Sequence, residues 1–504
     1  MSPDVVVIGA GPNGLAGACV LARAGLSVLV LEAHPERPGG ALASEQATEP
    51  GFVHDVGAAF FPFAQASPAF LDLPLGEHGL RWTFAGIDSA HPAPDGSIAV
   101  LARDLDRLEQ NFGSPEDGRR MRAVCEFHRR VEPKLIPAML GPFPAIRPAL
   151  GLLPLAILRI AATFLRSGSG LSRAWFRSEP ARRVIPGLAL HTDVGPDDTF
   201  GAGIGYMLAV MATTGGYGVP EGGAGAITAA LVRLLESHGG QLRVGARVES
   251  IVVRDKRAEA VVLADGEEIR VGKAILSDTS APALLGELVD QKHLPGRIVR
   301  KMKRFSIGWG TFKVDWALDG PVPWATELSR EAAVVHAGDS LEDLRRFTLE
   351  VRGGSLPSNP YLVIGQQSLC DPTRAPAGKH TLWAYSRVPN QAPGGDWAAE
   401  KERFADRIDE RIEALAPGFR KLIRARRAVS PADLERMDAN LIGGDLGGGS
   451  NAWHRQLVFR PVFPYFRHRM PVRGLYLGSS YAHPGAGVHG MCGYNAAQMI
   501  LRDL

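Results

Sequence analysis

An unbroken apolar run at residues 5–8, followed at once by a glycine-rich turn at residues 9–14, constrains the fold of this chain most strongly. Four consecutive apolar residues are typical of a strand buried on both faces of a parallel sheet. A helical pattern follows the turn and ends at Gly25, and residues 28–31 form a second apolar run directly before Glu32. This order of strand, turn, helix, strand and acid predicts a doubly wound sheet that holds a dinucleotide.

The glycines of the turn each have a separate physical task. Gly9 permits the tight turn, Gly11 allows the backbone to approach a pyrophosphate, and Gly14 allows the helix to pack closely on the strand. The N-terminus of the helix presents unpaired N–H groups and partial positive charge to the phosphates. Glu32 is placed to accept hydrogen bonds from ribose hydroxyls, and its charge disfavours a 2′-phosphate.

Two further motifs resemble a known family. Residues 37–41 contain an Arg-x-Gly-Gly element soon after Glu32, and residues 483–490 read His-Pro-Gly-Ala-Gly-Val-His-Gly after a short apolar run. With these motifs the chain resembles the superfamily of FAD-binding amine oxidases and phytoene desaturases over nearly its whole length. Residues 491–495 narrow the resemblance to the phytoene desaturase-like branch that includes pyridine nucleotide-disulfide oxidoreductase domain-containing protein 2.

The resemblance implies that the dinucleotide is FAD, and it implies no metal. The implied cofactor-binding residues are Gly9, Gly11, Pro12, Asn13, Gly14, Glu32, Ala33, Arg37, Gly39, Gly40, Ala41, Leu42, Val248, Ser277, Ser479, Ser480, Gly487, Val488 and Met491. The chain departs from the pattern at two positions. Ala41 stands where amine oxidases of the superfamily carry arginine, which disfavours an amine oxidase, and Tyr481 stands where carotenoid desaturases carry glycine.

The expected fold class is α/β, with a discontinuous Rossmann-like FAD-binding domain and an inserted α+β substrate domain of mixed sheet and helices. A length of 504 residues by itself favours two domains. The predicted FAD-binding domain comprises residues 1–85, 224–289 and 440–504, and the predicted substrate domain comprises residues 86–223 and 290–439. A helix is expected near residues 224–238, and the runs 241–244 and 247–253 are interpreted as paired strands, before a hairpin turn at 264–267.

Residues 135–165 are unusually apolar, with Arg147 and Arg159 as their only charges. Pro148 and Pro154 interrupt the segment, so a membrane-spanning helix is not predicted. Two interpretations stay open: a core helix or cavity wall, or a surface that enters the headgroup region of a membrane and admits a lipid-like substrate. The basic residues between 420 and 427 either attract anionic lipid or form a solvated helix face.

Bulk properties exclude several classes of protein. A net charge of +3 is too small to indicate nucleic acid binding, and the four cysteines form no CxxC pair, which argues against a disulfide framework or a zinc site. The first apolar run begins at residue 5, which leaves no room for a secretory signal. A cytoplasmic protein is expected, and the apolar segment is compatible with a peripheral position on the inner face of the membrane.

Transfer of a hydride from carbon to flavin N5 leaves a cation-like centre that must lose a proton, so a base is needed. Four candidates lie on or beside the C-terminal flavin turn: Tyr481, His483, His489 and Tyr494. Each also has a plainer interpretation, because the histidines can fix the loop and Tyr494 can pack within a helix. Asp445, in a glycine-rich loop, is a further candidate.

These features favour an FAD-dependent desaturase or dehydrogenase that acts on a hydrophobic substrate such as a polyene, an isoprenoid or an acyl-type chain. Because the chain carries no second dinucleotide motif, oxygen or a membrane quinone is the expected electron acceptor. Two alternatives remain open. One is a redox-neutral flavin-dependent isomerase, and the other is a non-catalytic interaction protein that FAD stabilises.

Overall fold

The computed structural model describes residues 2–504, in which two large sheets are joined by helices. In chain order the strands are β1 Val5–Ile8, β2 Val28–Leu31, β3 Ser44–Glu45, β4 His54–Asp55, β5 Trp82–Thr83, β6 Ile87–Pro92, β7 Ile98–Leu101, β8 Val219–Pro220, β9 Gln241–Arg243, β10 Val248–Arg254, β11 Arg257–Leu263, β12 Glu268–Arg270, β13 Ala274–Ser277, β14 Gly310–Leu318, β15 Ala332–Ala337, β16 Leu362–Gly365, β17 His380–Val388, β18 Ile423–Val429 and β19 Leu475–Leu477.

The helices surround these sheets. In chain order they are α1 Pro12–Arg23, α2 Pro68–Asp72, α3 Leu105–Asn111, α4 Pro115–Leu140, α5 Ile146–Leu150, α6 Pro154–Phe164, α7 Gly168–Trp175, α8 Glu179–Arg182, α9 Val184–Ala189, α10 Gly201–Thr213, α11 Gly225–Ser237, α12 Ala281–Ala283, α13 Gly296–Met302, α14 Glu327–Arg330, α15 Leu341–Arg352, α16 Gln367–Cys370, α17 Trp397–Leu415, α18 Pro431–Met437 and α19 Met491–Asp503.

The first large sheet has the strand order β19-β13-β1-β2-β9, and all its neighbouring strands are parallel. Its central strand β1 is apolar at every position because both faces are covered. Val5 and Val7 pack in a core with α1, α11 and α19, whereas Val6 and Ile8 pack with β10 and β11. The predicted α/β fold with a Rossmann-like domain is thereby confirmed.

The expected pairing of the runs 241–244 and 247–253 is wrong. β9 pairs with β2 in the parallel sheet, whereas β10 pairs with β11 in a separate three-stranded sheet. The chain changes sheets at Gly245, whose φ of +65° turns it and whose N–H donates to the His34 carbonyl. The hairpin of β11 and β12 around residues 264–267 and the helix α11 agree with the sequence prediction.

The second large sheet is mixed, with the strand order β18-β14-β17-β16-β15-β6-β7. Its neighbouring strands are antiparallel except for β15 and β6, which are parallel. One face packs against α17, and the other faces helices α4 to α10. All seven strands come from residues 86–223 and 290–439, and the assignment of these residues to a separate substrate domain stays a prediction.

The apolar residues 135–165 form the end of α4 and the short helices α5 and α6. Leu135, Leu140 and Ile160 are buried, whereas Leu150 and Leu155 are exposed, so the segment is part core and part surface. Within residues 2–504, no helix combines the length and the apolar character that crossing a membrane requires.

The basic residues 420–427 do not form a helix face. Most of them lie on the edge strand β18, where the side chains bind acidic neighbours. Arg424 pairs with Asp319 at 3.0 Å, and Arg426 pairs with Asp406 at 2.8 Å. Because these charges are neutralised within the protein, little attraction for anionic lipid is expected from this strand.

Candidate functional site

A continuous cavity of about 1480 Å³ extends from the glycine-rich turn after β1 to the inner face of the seven-stranded sheet. Ligand sites for one drug-sized molecule usually measure about 300–1,000 Å³. The cavity is therefore large enough for a dinucleotide and a second molecule.

The turn between β1 and α1 is packed so closely that only glycine fits. A Cβ on Gly14 would lie 2.3 Å from the Gly9 carbonyl oxygen, and a Cβ on Gly11 would lie 2.5 Å from Asp278 Oδ2. Asp278 follows β13, and its Oδ2 accepts the N–H of Gly14 at 2.7 Å. The N-terminal amides of α1 were expected to be free to bind phosphate, but the amide of Gly14 is already bonded to Asp278.

Glu32 is held at the carboxyl end of β2 by the backbone. Its Oε2 accepts the N–H of Ala10 and its Oε1 accepts the N–H of His34, both at 2.8 Å. Arg37 donates to the Gly40 carbonyl at 3.2 Å. Glu32 and Arg37 both line the cavity, as expected of residues that contact the ribose and phosphate part of a dinucleotide.

Two further carboxyl groups lie beside this cradle. Burial raises the pKa of Asp278 well above its usual range, and the negative charges of Asp438 and Glu32 add to the rise. Burial also raises the pKa of Asp438. A raised pKa disfavours the charged carboxylate and so lowers its repulsion of the phosphates of a bound dinucleotide.

The C-terminal turn after β19 forms the next part of the wall. Arg460 is buried and holds this turn against the loop 443–449, because its guanidinium donates to the carbonyls of Gly447 and Ser480 at 2.6 and 2.8 Å. The following helix, α19, begins at Met491. Arg460 therefore fixes the backbone that the resemblance assigns to the flavin.

Asp445 organises the loop 443–449. Its carboxylate accepts the backbone N–H groups of Gly308, Gly447 and Gly449 at 2.7–2.8 Å. With both oxygens occupied by amides, Asp445 holds the loop in place and is not free to act as a base.

Most of the residues that the sequence analysis singled out line the cavity. They are Gly9, Gly11, Pro12, Asn13, Glu32, Ala33, Arg37, Gly40, Ala41, Leu42, Val248, Ser479, Ser480, Tyr481, His483, Gly487, Val488 and His489. The structure does not bring the remaining ones to the wall. These are Gly14, Gly39, Ser277, Met491 and Tyr494.

Three of these residues make local contacts that keep their side chains from the cavity wall. Ser277 is fully buried in β13 and bonds to Thr279, so Asp278 takes the position at the wall. Met491 turns its sulfur to the N–H of Ala69 at 3.2 Å. Tyr494 points its hydroxyl to Asp72 at 3.4 Å.

The other three base candidates make fixed contacts. The Tyr481 hydroxyl donates to the Asn440 carbonyl at 2.7 Å, and His483 Nε2 donates to the Gly141 carbonyl at 3.0 Å. His489 Nδ1 accepts the N–H of Met491 at 3.1 Å, so its Nε2 carries the proton. Burial lowers the pKa of His483 and of His489 to about 4, which keeps both imidazoles neutral.

Four buried polar atoms of residues that line the cavity lack a hydrogen-bond partner within residues 2–504: His489 Nε2, Asn13 Oδ1, Trp383 Nε1 and Arg387 Nε. Buried polar groups are rarely left unpaired, so unpaired atoms on a cavity wall indicate a ligand. His489 offers a donor at the C-terminal turn and Asn13 an acceptor at the cradle. Together with the glycine turn and Glu32, they fit a bound FAD.

The far half of the cavity is lined mainly by apolar and aromatic side chains. Examples are Phe60, Phe63, Phe143, Phe164, Met207, Leu208, Trp309, Val334, Trp383 and Tyr385. Phe143 and Phe164 belong to the apolar segment 135–165, for which a cavity wall was one of the two interpretations, whereas no sequence motif pointed to the others. The alternation within residues 380–388 could have identified Trp383 and Tyr385 as neighbours on one face, but it could not show that this face meets the cavity.

Comparisons with known proteins agree with this geometry. The family model for a NAD(P)-binding Rossmann-like domain matches residues 7–73. Pyridine nucleotide-disulfide oxidoreductase domain-containing protein 2 of Mus musculus is 30% identical over 550 residues, which cover 99% of this chain and 94% of the relative. This chain belongs to the family of that protein. The family is phytoene desaturase-like, its cofactor is FAD, and its members are oxidoreductases.

Other relatives of this family also match along the whole chain. One of the subunits of limonene dehydrogenase from Castellaniella defragrans is 24% identical, covering 99% of this chain and 95% of the relative. Lycopene-forming phytoene desaturase of Pseudescherichia vulneris is 26% identical, with 99% of each chain covered.

Solved structures support the fold. An oxidoreductase from Methanosarcina mazei superposes with a TM-score of 0.64 at 16% identity, covering 99% of both chains. A putrescine oxidase variant has a TM-score of 0.62 at 16% identity, covering 100% of this chain and 99% of that protein. At such identity the likeness shows the shared fold alone.

Proposed function

We propose that this chain is an FAD-dependent dehydrogenase or desaturase that removes two hydrogens from neighbouring carbons of a hydrophobic substrate. The observation that carries this proposal is the continuity of the cavity from the dinucleotide cradle to an apolar and aromatic wall. Relatives named for limonene and phytoene, both hydrocarbons, support the same substrate class.

Bound FAD supplies the two-electron acceptor of this reaction. The residues of the chain contribute position and surroundings. Arg460 and Asp445 hold the backbone of the C-terminal turn, and the Nε2–H of His489 points a donor into the cavity. Phe60 and Trp383, whose ring centroids are 6.3 Å apart, form part of the wall that excludes water and orients a hydrocarbon chain.

The proposal is tested by anaerobic mixing of the purified flavoprotein with phytoene or limonene in detergent micelles. Loss of the absorbance of oxidised flavin, together with a product lighter by two hydrogens, is the expected result. A product of unchanged mass that forms only with prereduced flavin would instead indicate an isomerase. Oxygen and a soluble quinone are then compared as electron acceptors, since the absence of a second dinucleotide motif in the sequence favours direct reoxidation by one of them.

Protein that is folded but colourless, and that added FAD does not reconstitute, would overturn the proposal. Unchanged function in a variant that has lost FAD would favour the non-catalytic alternative. The Gly14→Ala variant serves for this comparison, because its added methyl group meets the Gly9 carbonyl.

A peripheral membrane contact is also proposed, on the exposed face of α5 and α6. Leu150, Leu153, Leu155 and Leu158 are 79%, 75%, 80% and 65% exposed. Contiguous apolar surface of this kind is uncommon on proteins that contact only water. Phe164, at the end of α6, lines the cavity, so the same helix contributes to this surface and to the cavity wall.

A second exposed apolar segment, 453–463, also contributes to the cavity wall. Trp453 and Leu457 line the cavity and are also about half exposed, and the rings of Trp453 and Phe200 are tilted, with centroids 5.6 Å apart. Phe200 directly precedes α10, whose Gly203 contacts the ring of Phe164. The two apolar segments therefore border one opening, through which a lipid-soluble substrate would enter.

Sedimentation with vesicles of phosphatidylcholine and phosphatidylglycerol tests this contact. Wild-type protein is expected to sediment with the vesicles, and the double variant Leu155→Glu/Leu158→Glu is expected to remain in the supernatant. Leu349→Glu is the matched control, because Leu349 is 70% exposed on α15, away from the opening. Equal sedimentation of the double variant and the wild type would refute the contact.

A further inference from the structure

The wall opposite the dinucleotide cradle carries polar groups that the proposed reaction has not yet used. On β17, Trp383 and Tyr385 face the cavity, whereas Leu382 and Ala384 pack on the other side of the sheet against α17. Tyr385 is thus a phenol in a wall that is mainly apolar and aromatic, with His191 and Arg387 as polar neighbours. Burial raises its pKa to about 12, so its hydroxyl is protonated at neutral pH.

Tyr385 is hydrogen-bonded to a histidine that also lines the cavity. The Tyr385 oxygen lies 3.0 Å from His191 Nδ1, and His191 Nε2 lies 2.8 Å from His336 Nε2. His191 stands just beyond α9, and His336 is on β15. The contact therefore leads from the cavity surface into the sheet.

The chain of hydrogen bonds continues beyond His336. Its Nδ1 lies 2.9 Å from Ser89 Oγ, which in turn lies 3.0 Å from His91 Nε2. Ser89 and His91 are on β6, the parallel neighbour of β15, and the rings of His91 and His336 stack with centroids 4.6 Å apart. Ser89, His91 and His336 are all at least 98% buried.

The positions of the hydrogens in this chain are restricted. Burial lowers the pKa of His191 and of His91 to about 3, and it lowers the pKa of His336 well below its usual value, so all three imidazoles are neutral. Between the two facing Nε2 atoms of His191 and His336, one must carry a hydrogen and the other must not. Which of the two Nε2 atoms carries the hydrogen determines the donor and the acceptor of every other hydrogen bond in the series. The series from Tyr385 to His91 therefore has two neutral arrangements, in which the hydrogen bonds point in opposite directions.

In the first arrangement Tyr385 donates to His191, His191 to His336, His336 to Ser89 and Ser89 to His91. In the second arrangement every donor and acceptor is exchanged. A chain with two such arrangements can pass a proton along its length, since each member gives one proton and takes one. Its outer end, Tyr385, is the member at the cavity surface next to Trp383.

We propose that Tyr385 is the catalytic base of the dehydrogenation and that His191, His336, Ser89 and His91 form a relay that carries the proton away from the substrate. This inference rests on the function proposed above. It places the base on the wall opposite the cradle and not among the residues of the C-terminal turn.

Atoms and electrons balance in this step. Bound FAD would accept one hydrogen of the substrate with its electron pair, and the neighbouring carbon would lose hydrogen as a proton to the Tyr385 oxygen. The electron pair of that second C–H bond becomes the new carbon–carbon double bond. Tyr385 gives its own hydroxyl proton to His191 Nδ1, and each later bond passes one proton on until His91 holds the extra one.

Charged groups around the relay oppose a lasting charge within it. The guanidinium carbon of Arg387 lies 5.3 Å from the ring centroid of Tyr385, and the Arg387 side chain donates to the His191 carbonyl. Arg183 donates to the His91 carbonyl at 2.8 Å. Tyr361 stacks on His336 with ring centroids 6.3 Å apart. The two arginines favour return of the proton once the substrate site is empty.

Stopped-flow reduction of the flavin by phytoene or limonene tests the base. Tyr385→Phe keeps the ring and removes the oxygen, and it is expected to slow flavin reduction by about 10²–10⁴-fold, the usual contribution of a general base. Tyr476→Phe is the matched control, because its hydroxyl bonds Asp503 at 2.7 Å and lies outside the cavity. Flavin content and melting temperature verify that each variant is folded.

A test of the relay requires a measurement that would not change if Ser89 had only a structural role. Ser89→Ala removes the link between His336 and His91 without touching the cavity wall. We expect it to lower the rate constant of flavin reduction while leaving the apparent KM for the substrate unchanged, and to alter the solvent deuterium isotope effect. An unaltered rate and isotope effect would overturn the relay.

Nitrogen NMR of ¹⁵N-histidine-labelled holoprotein supplies a test that needs no substrate. At neutral pH, His191 and His336 are each expected to show one protonated and one bare ring nitrogen, with His191→Gln and His336→Gln used for assignment. A doubly protonated imidazole at either position would overturn the relay.

The outcomes separate the two proposals. If wild-type flavin is reduced by neither substrate, the proposed function fails and the NMR result alone judges the relay. If wild-type flavin is reduced and Tyr385→Phe reacts at the same rate, the base assignment fails and the proposed function stands.

Discussion

The two ends of the cavity bury opposite kinds of ionisable group. The cradle end gathers carboxyl groups, and burial raises the pKa of Asp278 and of Asp438. The far wall gathers imidazoles, and burial lowers the pKa of His91, His191 and His336. Burial therefore disfavours the charged form at both ends, so that a carboxyl group at the cradle is harder to ionise and an imidazole at the far wall is harder to protonate.

Acidification is expected to give the largest change in the free energy of unfolding, and this change arises at the far wall. The pKa of His91 and of His191 is about 3 in the folded protein and about 6.5 in an unfolded chain. Between these values the unfolded chain binds more protons. The free energy of unfolding therefore falls as pH falls below about 6.5, by up to about 1.4 kcal/mol per pH unit for each histidine.

Thermal denaturation of the holoprotein across this pH range measures the slope. The double variant His91→Gln/His191→Gln is expected to show a shallower slope than the wild type. Equal slopes would mean that these imidazoles are not buried in the neutral form, and the contrast between the two ends would be lost.

The next largest effect is expected at the junction of the two ends. Arg374 is fully buried between Asp55, beside the cradle, and Asp371, beside β17, with contacts of 3.0 and 3.1 Å. Arg374→Met would leave two buried carboxylates without their partner, at an expected cost of about 3–5 kcal/mol in the free energy of unfolding. Chemical denaturation measures it.

A surface pair provides the control for this variant. Arg243 binds Glu267 at 2.6 Å where both side chains are exposed, so Arg243→Met is expected to change stability by at most about 1 kcal/mol. If Arg374→Met lowers the free energy of unfolding no more than Arg243→Met does, the buried contacts of Arg374 do not hold the two ends together.

A smaller effect, confined to the cradle, is expected for Gly14→Ala. The new methyl group would lie 2.3 Å from the Gly9 carbonyl oxygen. Overpacking of this kind usually destabilises a protein by about 1–3 kcal/mol. If this strain falls on the FAD-bound form, FAD affinity drops by roughly 5- to 150-fold. Flavin content after purification measures the loss, and Gly76→Ala, where a methyl group meets no neighbour, is the control. Full flavin content in Gly14→Ala would contradict the assignment of this glycine turn to FAD binding.

The smallest effect is expected for Tyr481→Phe. The lost hydrogen bond to the Asn440 carbonyl predicts a destabilisation of about 0.5–1.5 kcal/mol, measurable as a lower melting temperature. Its effect on flavin reduction should be much smaller than that of Tyr385→Phe. If Tyr481→Phe slowed flavin reduction as much as Tyr385→Phe, the base would have to be assigned to the C-terminal turn.

The cradle end could be predicted from the sequence because its requirements are local. A glycine at residue 14 and an acid at residue 32 stand at fixed spacing from two apolar strands, and backbone geometry explains each. Asp278 was missed although it follows strand β13 as Glu32 follows β2. Its partner, the N–H of Gly14, lies 264 residues away, and no local pattern records such a contact.

The far wall could not be predicted for the same reason. Ser89, His191, His336 and Tyr385 are brought together by three strands and one loop spread over nearly 300 residues. Each of these residues looks ordinary in its own segment. The apolar segment 135–165 shows an intermediate case, because composition marked it as unusual while only the structure separates its buried from its exposed leucines.

Strand β19 has a consequence for biosynthesis. It completes the edge of the parallel sheet beside β13, and the turn that follows it closes the cavity wall, yet it is made only after some 470 residues have left the ribosome. A nascent chain therefore displays the glycine turn long before the site is whole. Coenzyme capture is therefore expected to be a late event of synthesis.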